Sequence, residues 1–227
     1  MGVNTTAAAA VSGSGTGCLR LVVLVSGRGS NLQAILDAIE AGTLPARVCA
    51  VISDQPEAPA LQRARARGVP AIPLPKRRGE PRDAYSARLA ALCKEYQPEL
   101  VVLAGFMRIL GEPFLEAFPQ RVINIHPALL PSFPGKNAQR QALEYGVRFS
   151  GCTVHFVDVG VDSGPIILQA VVPVLPDDTV EALSQRILRE EHHLLPQAIA
   201  LFAAGRLRVE GRRVRILPER TPVSVLL

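Results

Sequence analysis

The chain has 227 residues, of which 48% are hydrophobic and 20% are charged, a composition typical of one globular domain with a full core. No apolar run reaches the roughly 18 residues that a membrane span requires, so we expect no membrane partner. Residues 1–17 contain no Lys or Arg and no sustained apolar core. They predict a disordered tail rather than a secretory signal, and a cytoplasmic protein.

The formal net charge of +5 comes almost wholly from Arg, and several Arg are clustered. These clusters lack the interleaved aromatic residues of a stacking surface. Surface solvation is therefore the first interpretation, attraction of anionic small molecules the second and nucleic-acid binding the third. The four cysteines form no C-x-x-C pair, so neither a disulfide framework nor a zinc site is expected.

Strand and helix patterns alternate along the chain from Leu19 to about Ala204. Apolar, β-branched runs predict strands at 19–25, 47–53, 69–74, 99–105 and 121–125. Helical patterns between these strands predict helices at 31–41, 58–67, 81–96 and 112–118. Nearly continuous Val, Ile and Leu runs separated by helices are typical of parallel sheets. We therefore predict an α/β fold with a Rossmann-like, mostly parallel sheet covered by helices on both faces.

The pattern changes after Pro131. It predicts, in order, a helix at 136–145, strands at 151–158 and 165–174, a helix from Asp178 to about Ala204, and a surface hairpin at about 206–217. The gap between the two strands is short, so the late strand is expected to pair in antiparallel fashion. No segment has the composition of a linker, and residues 18–227 are predicted to form a single domain.

A glycine loop follows the first predicted strand, where 26–31 reads S-G-R-G-S-N. Gly27 and Gly29 allow a tight turn and a close approach of the backbone to a ligand, and the helix that follows offers free N–H groups to a phosphate. The loop lacks the third glycine and the downstream acid of a dinucleotide site. It indicates a phosphate or anion cradle, and the alternative is that Ser30 or Asn31 only caps the helix.

The strand R-V-I-N-I ends in an amide and an imidazole, Asn124 and His126. Side chains alternate across a strand, so both point to the same face. Pro127 and Pro131 prevent a continuing central strand or helix and restrict the exit loop. An amide beside a titratable ring at the carboxyl end of a strand is where an open α/β sheet places its chemistry, although a lone His here can also simply bind the loop.

A second loop, D-V-G-V-D-S-G at 158–164, reaches the same end of the sheet and carries Asp162 between two glycines. A carboxylate near an imidazole favours the protonated ring, so Asp162 is expected to raise the pKa of His126. The alternative is a turn residue that binds its own backbone. His155 lies within a strand, and we interpret it as a packed or supporting ring rather than a catalyst.

The chain resembles the phosphoribosylglycinamide formyltransferase family in four segments that follow the family's order: S-G-R-G-S-N-L-Q-A-I, V-V-L-A-G-F-M-R-I-L, I-N-I-H-P-A-L-L-P and V-D-S-G-P-I-I-L-Q-A. The similarity extends from about Leu19 to Leu207. It implies transfer of a formyl group from the co-substrate 10-formyltetrahydrofolate to the amine of glycinamide ribonucleotide in purine synthesis. Neither a metal nor a covalent intermediate is implied, and the expected partners are small molecules, with a monomer or homodimer as the assembly.

The resemblance also implies roles for residues that match the family's motifs. The implied catalytic residues are Asn124, His126 and Asp162. The implied contacts to glycinamide ribonucleotide are Gly29, Ser30, Asn31 and Glu191. The implied folate-binding residues are Arg82, Met107, Arg108, Ile109, Leu110, Asn124 and Asp158.

Three other functions remain open at this point. Methionyl-tRNA formyltransferase and formyltetrahydrofolate hydrolase share the Asn-x-His and later Asp, but normally carry an additional domain for which we see no counterpart here. A non-catalytic nucleotide-binding module would explain the glycine loop. It would leave Asn124, His126 and Asp162 without a joint purpose.

Overall fold

The computed structural model of the chain describes residues 10–11 and 17–219. Its elements are, in chain order, β1 (Ala10–Val11), β2 (Leu19–Val25), α1 (Ser30–Glu40), β3 (Ala46–Ser53), α2 (Pro59–Ala66), β4 (Ala71–Pro73), α3 (Arg82–Glu95), β5 (Leu100–Leu103), α4 (Glu112–Ala117), β6 (Val122–His126), α5 (Ala138–Tyr145), β7 (Phe149–Phe156), β8 (Ile166–Pro173), α6 (Val180–Ala203), β9 (Leu207–Glu210) and β10 (Arg213–Ile216). The tail predicted as disordered lies outside the described residues, except that β1 pairs with β9.

The described strands form one sheet in the order β1-β9-β10-β8-β7-β6-β5-β2-β3-β4. Strands β4, β3, β2, β5 and β6 are parallel, whereas β7 is antiparallel to both β6 and β8. The predicted mostly parallel sheet and the antiparallel late pairing are therefore confirmed. The C-terminal hairpin is also confirmed; β10 is largely exposed, as predicted for a surface hairpin, and it also joins the sheet by pairing with β8.

Alternating side chains of the buried strands divide the core into two layers. On β2, Leu21 and Val23 belong to the layer that contains buried residues of α1, α2 and α6, while Val22 and Leu24 belong to the layer that contains those of α3 and α4. A strand buried on both faces needs apolar residues at every position, which explains the continuous Val and Leu runs. The helices on both faces confirm the predicted coverage of the sheet.

The chain order creates a crevice at the carboxyl ends of β2 and β5. After β2 the chain proceeds to β3 and β4 on one side, then returns to form β5 on the other side of β2. The loops that leave β2 and β5 therefore diverge, and open α/β sheets bind ligands at such a switch point. The two loops are joined at their base, where the Ser26 N–H donates to the Gly105 carbonyl at 3.1 Å.

Local backbone conformations account for elements that are shorter than predicted. The strand expected at 99–105 ends at Leu103, and Gly105 has a φ of +78°, which no continuing strand tolerates. The helix expected at 136–145 begins only at Ala138, because Asn137 has a left-handed φ of 58°. In the described part of the chain, no helix combines the length and apolarity that crossing a membrane requires.

Candidate active site

Asn124, His126 and Asp162 meet at the carboxyl end of β6. The Asn124 Nδ2 donates to Asp162 Oδ1 at 3.3 Å, and His126 Nδ1 lies 3.3 Å from Asp162 Oδ2. His126 is 4% exposed and the Asp162 side chain 15% exposed, so water screens this contact only weakly. The shared face predicted for Asn124 and His126, and the approach of Asp162, are both present.

The loop between β7 and β8 holds Asp162 in a backbone conformation that is uncommon for a residue with a side chain, with a φ of 49°. Its Oδ2 also accepts the Gly135 N–H at 2.8 Å, which connects it to the 127–137 loop. A Cβ atom at Gly164 would overlap the Phe156 carbonyl, so only glycine fits there. The Asp162 side chain therefore binds neighbouring segments, and the alternative of a turn residue bound to its own backbone is not what the structure has.

His155 belongs to the same cluster and contacts Asn124. It lies directly opposite Asn124 in the antiparallel β6–β7 pairing, so the two side chains are neighbours on one face. His155 Nδ1 donates to the Phe156 carbonyl at 2.8 Å, which leaves Nε2 free to accept from Asn124 Nδ2 at 3.1 Å. His155 is thus a buried ring that supports the Asn124 amide by direct contact, in agreement with its interpretation as a packed or supporting ring.

Both nitrogens of the His126 ring face oxygen atoms. Nε2 donates to the Phe133 carbonyl at 2.8 Å, while Nδ1 faces Asp162 Oδ2. Burial lowers the pKa of His126, and the charge of Asp162 raises it by a smaller amount, so the net pKa lies below the ordinary value. Asp162 therefore raises the pKa of His126 as predicted, but the loss of hydration outweighs this attraction and decides the net shift.

The pKa of the Asp162 carboxyl is also lowered, but here polar contacts cause the shift and burial opposes it. Burial raises its pKa, but the contacts with His155, the Gly135 N–H and the His126 ring lower it by more, and the net pKa is below the ordinary value. Asp162 is therefore ionised at neutral pH, next to a neutral His126 ring. Such a pair gains a strong charge-assisted contact when the ring receives a proton.

The cluster opens into a cavity of about 450 Å³. One wall of the cavity is the segment after β5, in which Met107 is 63% and Ile109 52% exposed, whereas Leu110 is buried. The lining includes the implied folate-binding residues Met107, Arg108, Ile109, Leu110, Asn124 and Asp158. Arg82 lies outside this lining at the start of α3, where its guanidinium contacts Asp83 at 3.3 Å. The proposed contact of Arg82 with folate therefore receives no support from the cavity.

The glycine loop forms a second group of residues at the same edge of the sheet. Gly29 is the N-cap of α1 with a φ of 74°, and a Cβ there would lie 2.6 Å from the Ala60 Cβ. The α1 N-cap has no side-chain hydrogen bond in the described structure. Ser30 is the first helical residue, and Asn31 Nδ2 donates to Glu191 Oε2 at 2.7 Å, so the alternative of a simple cap by Ser30 or Asn31 does not hold.

The Asn31–Glu191 pair is buried, with exposed fractions of 7% and 6%. Burial raises the pKa of Glu191, and the Asn31 hydrogen bond opposes this only in part. This pair connects the start of α1 to the middle of α6, close to the free N–H groups of the α1 N-terminus. The four residues implied for glycinamide ribonucleotide are thus brought together, and they lie outside the lining of the 450 Å³ cavity.

The site has the components of a group-transfer centre. An amide donor, a buried imidazole and an ionised carboxylate meet beside a cavity large enough for an organic co-substrate. An amide and an imidazolium can stabilise negative charge on oxygen, and an imidazole next to a carboxylate can accept and return a proton. The fold and the site together define an α/β protein with a candidate group-transfer centre at the carboxyl edge of its sheet.

Comparison with known proteins gives the family. The sequence profile described as "Formyl transferase" matches residues 19–199, and the chain belongs to this family. It is 42% identical to phosphoribosylglycinamide formyltransferase of Escherichia coli over 204 residues, which cover 90% of this chain and 96% of that protein. A crystal structure of glycinamide ribonucleotide transformylase 1 from Symbiobacterium toebii is 58% identical, with a TM-score of 0.86 and coverage of 88% of this chain and 94% of that one.

Longer relatives contain a similar segment. The chain is 48% identical to the trifunctional purine biosynthetic protein adenosine-3 of Drosophila melanogaster over 188 residues, which are 82% of this chain but only 14% of that protein. The similarity therefore concerns one segment of the longer protein. The bacterial relatives, in contrast, match over nearly their whole length.

Proposed function

We propose that this chain transfers the formyl group of 10-formyltetrahydrofolate to the amine of glycinamide ribonucleotide, giving formylglycinamide ribonucleotide and tetrahydrofolate in purine synthesis. The observation that carries the proposal is the junction of Asn124, His126 and Asp162 at the mouth of the cavity. The similarity to relatives named for this reaction supports the choice of substrates. A non-catalytic nucleotide-binding module would not require Asn124, His126 and Asp162 to meet.

The reaction places specific demands on these residues. When the amine attacks the formyl carbon, negative charge grows on the formyl oxygen, and the Asn124 Nδ2 is a donor suited to it. The attacking nitrogen must lose a proton, and the departing folate nitrogen must gain one. A neutral His126 accepts that proton, Asp162 stabilises the resulting imidazolium, and the ring then returns the proton to the leaving nitrogen.

The two substrates are assigned to the two groups of residues. Gly29, Ser30 and Asn31 hold the phosphate at the α1 N-terminus, and Glu191 contacts the ribose or glycinamide part. The folate lies along the wall formed by Met107, Arg108, Ile109 and Leu110, with Asn124 and Asp158 opposite. Both groups lie at the carboxyl edge of the sheet, so the amine and the formyl group can meet at His126.

The proposal also covers the partners, the cellular location and the assembly of the enzyme. Its partners are these small molecules rather than nucleic acid, it works in the cytoplasm, and it acts as a monomer or homodimer. The relatives named phosphoribosylglycinamide formyltransferase support small-molecule substrates. Sedimentation of the purified protein at micromolar concentration distinguishes the monomer from the homodimer.

The decisive assay measures tetrahydrofolate formation from 10-formyltetrahydrofolate with and without glycinamide ribonucleotide. We expect strict dependence on glycinamide ribonucleotide. Release of tetrahydrofolate in its absence would instead identify a hydrolase, and formylation of methionyl-tRNA in a parallel reaction would identify the tRNA enzyme. Absence of all three turnovers, in a protein that still binds the nucleotide, would leave a binding module.

A further inference from the structure

A buried acid that the reaction does not use lies next to the cavity wall. Asp54 follows β3, and its side chain is only 1% exposed. The Asp54 carboxylate accepts Arg108 Nε at 2.7 Å and Gln55 Nε2 at 3.0 Å on Oδ2, and Ser26 Oγ at 2.5 Å on Oδ1. Charged and polar donors thus replace the hydration that this buried carboxyl group loses on folding.

This network controls two successive residues of the wall. Arg108 is held by Asp54 directly, whereas Met107 is held through Ser26, whose Oγ accepts the Met107 N–H at 2.8 Å. Both Met107 and Arg108 line the cavity. Met107 and Arg108 lie in a segment between β5 and α4 that has no regular secondary structure, so its shape depends on such side-chain contacts.

We propose that Asp54 is a positioning residue that holds Arg108 directly, and Met107 through Ser26, in the conformation that binds the folate co-substrate. This inference rests on the proposed function. Arg108 contacts Asp54 through Nε. The two terminal nitrogens of the Arg108 guanidinium form no hydrogen bond with any of the described residues. Those nitrogens remain available to an anionic group, and 10-formyltetrahydrofolate carries its carboxylates only in the glutamate part.

Replacement of Asp54 by Asn tests the arrangement with almost no change in volume. An amide has one acceptor oxygen, so it cannot accept from Ser26 and Arg108 on two separate oxygens. We expect the KM for 10-formyltetrahydrofolate to rise about tenfold, the scale of one lost charge-assisted hydrogen bond. The kcat and the KM for glycinamide ribonucleotide are expected to change by less than about twofold.

Asp178→Asn is the matched control. Asp178 is also an almost buried acid paired with an arginine, Arg186, at 2.6 Å, but this pair lies outside the cavity lining. Its replacement is expected to leave both KM values and kcat unchanged below the unfolding temperature. An equal rise in the folate KM of both variants would overturn the proposal, because it would show only a general loss of stability.

A double-mutant cycle separates positioning from structural support. In an Arg108→Met background, Asp54→Asn has no guanidinium left to position, so its effect on the folate KM is expected to fall to about threefold or less, the part that acts on Met107 through Ser26. A tenfold effect that persists in that background contradicts the proposal. If Asp54→Asn does not fold, Ser26→Ala is used instead, and a rise of about threefold in the folate KM is expected from release of Met107.

Calorimetric titration with tetrahydrofolate keeps this inference apart from the proposed function. If the wild-type protein shows no transfer to glycinamide ribonucleotide, the proposed function fails. The dissociation constant of tetrahydrofolate still reports on the positioning, and we expect Asp54→Asn to weaken it about tenfold and Asp178→Asn to leave it unchanged. Equal dissociation constants for the wild type and Asp54→Asn would overturn the inference even in an active transferase.

Discussion

The His126 ring is a single residue whose chemistry depends on two opposing effects. Burial lowers its pKa, and the Asp162 carboxylate, 3.3 Å from Nδ1, recovers part of this loss. The ring is therefore neutral at rest but gains an ionic partner when it takes a proton. This combination suits a group that must accept a proton in one half of the reaction and return it in the other.

Asp162→Asn tests that balance. Removing the carboxylate removes the contribution that raises the pKa of His126, so the inflection of His126 is expected to move to lower pH. We expect kcat to fall by about 10²-fold or more, on the scale of losing a group that stabilises transition-state charge, while both KM values change little. The measurements are kcat as a function of pH and an NMR titration of the His126 ring.

Asp37→Asn serves as the control for Asp162→Asn. Asp37 is a largely exposed acid on α1 that pairs with Arg67, away from the cavity. Its replacement is expected to leave the pH profile unchanged. An inflection of His126 that stays at the same pH in Asp162→Asn would show that the two residues are not coupled.

Glu191→Gln addresses the second group of residues. Burial raises the pKa of Glu191, so the folded state holds a proton more tightly than the unfolded state, and the stability of the protein falls as pH rises through that pKa. A glutamine removes this cost, so urea unfolding at pH 7 is expected to show equal or greater stability. The KM for glycinamide ribonucleotide is expected to rise about tenfold, the scale of one lost charge-assisted hydrogen bond. A stability loss with unchanged KM would contradict the assigned contact.

At the scale of elements, the connection between β7 and β8 determines where Asp162 stands. This loop begins beside Asp158, whose Oδ1 accepts from the Ser163 hydroxyl at 2.6 Å. It ends at Gly164, which packs directly on the Phe156 carbonyl. The loop is thus fastened at both ends, and the position of Asp162 follows from the backbone around it.

Gly164→Ala is expected to displace this loop. The new Cβ meets backbone that cannot rotate away, so we expect a stability loss of about 1–3 kcal/mol by urea unfolding, and at least tenfold loss of kcat. Gly160→Ala is the matched control in the same loop. Its Cβ would meet mainly the flexible Ser163 side chain, so a smaller stability loss is expected. Equal effects of the two substitutions would contradict this account.

The elements themselves were largely predictable from local patterns, and their pairing was not. Continuous Val and Leu runs with intervening amphipathic segments predicted β2 to β6, because a buried strand is recognised from the apolar residues of its own segment. The opposition of His155 and Asn124 depends on the register between β6 and β7, and these two residues are 31 positions apart in the chain. Register follows from tertiary packing, so a supporting role for His155 was predicted but its partner, Asn124, was not.

At the scale of the whole molecule, two ion pairs between residues eight positions apart make stability depend on pH. Hydrogen bonds from Arg186 lower the pKa of Asp178 from 3.8 to about 2, and those from Arg88 lower the pKa of Glu80 from 4.5 to about 2. A carboxyl whose pKa is lowered on folding stabilises the protein above its unfolded pKa, and this contribution is lost as pH falls. The free energy of unfolding is therefore expected to decrease between about pH 4.5 and pH 2, as measured by urea unfolding.

Two variants identify the contribution of the Asp178–Arg186 pair. Both Asp178→Asn and Arg186→Met remove the interaction, so each is expected to flatten the decrease in stability between about pH 4.5 and pH 2 to a similar extent. A decrease that runs parallel to that of the wild type in both variants would show that this pair does not contribute to the pH dependence.

The sequence by itself determined the residue types and their local geometry. It placed Asn124 and His126 on one face of a strand, a glycine loop before a helix, and Asp162 between glycines, because alternation and turn conformation depend on neighbouring residues only. The tertiary structure decided the rest. It placed His155 opposite Asn124 and paired Asp54 with Arg108. It also left Arg82 outside the cavity lining and, through burial, lowered the pKa of His126. Register, burial and desolvation depend on segments far apart in the chain, and only their packing determines them.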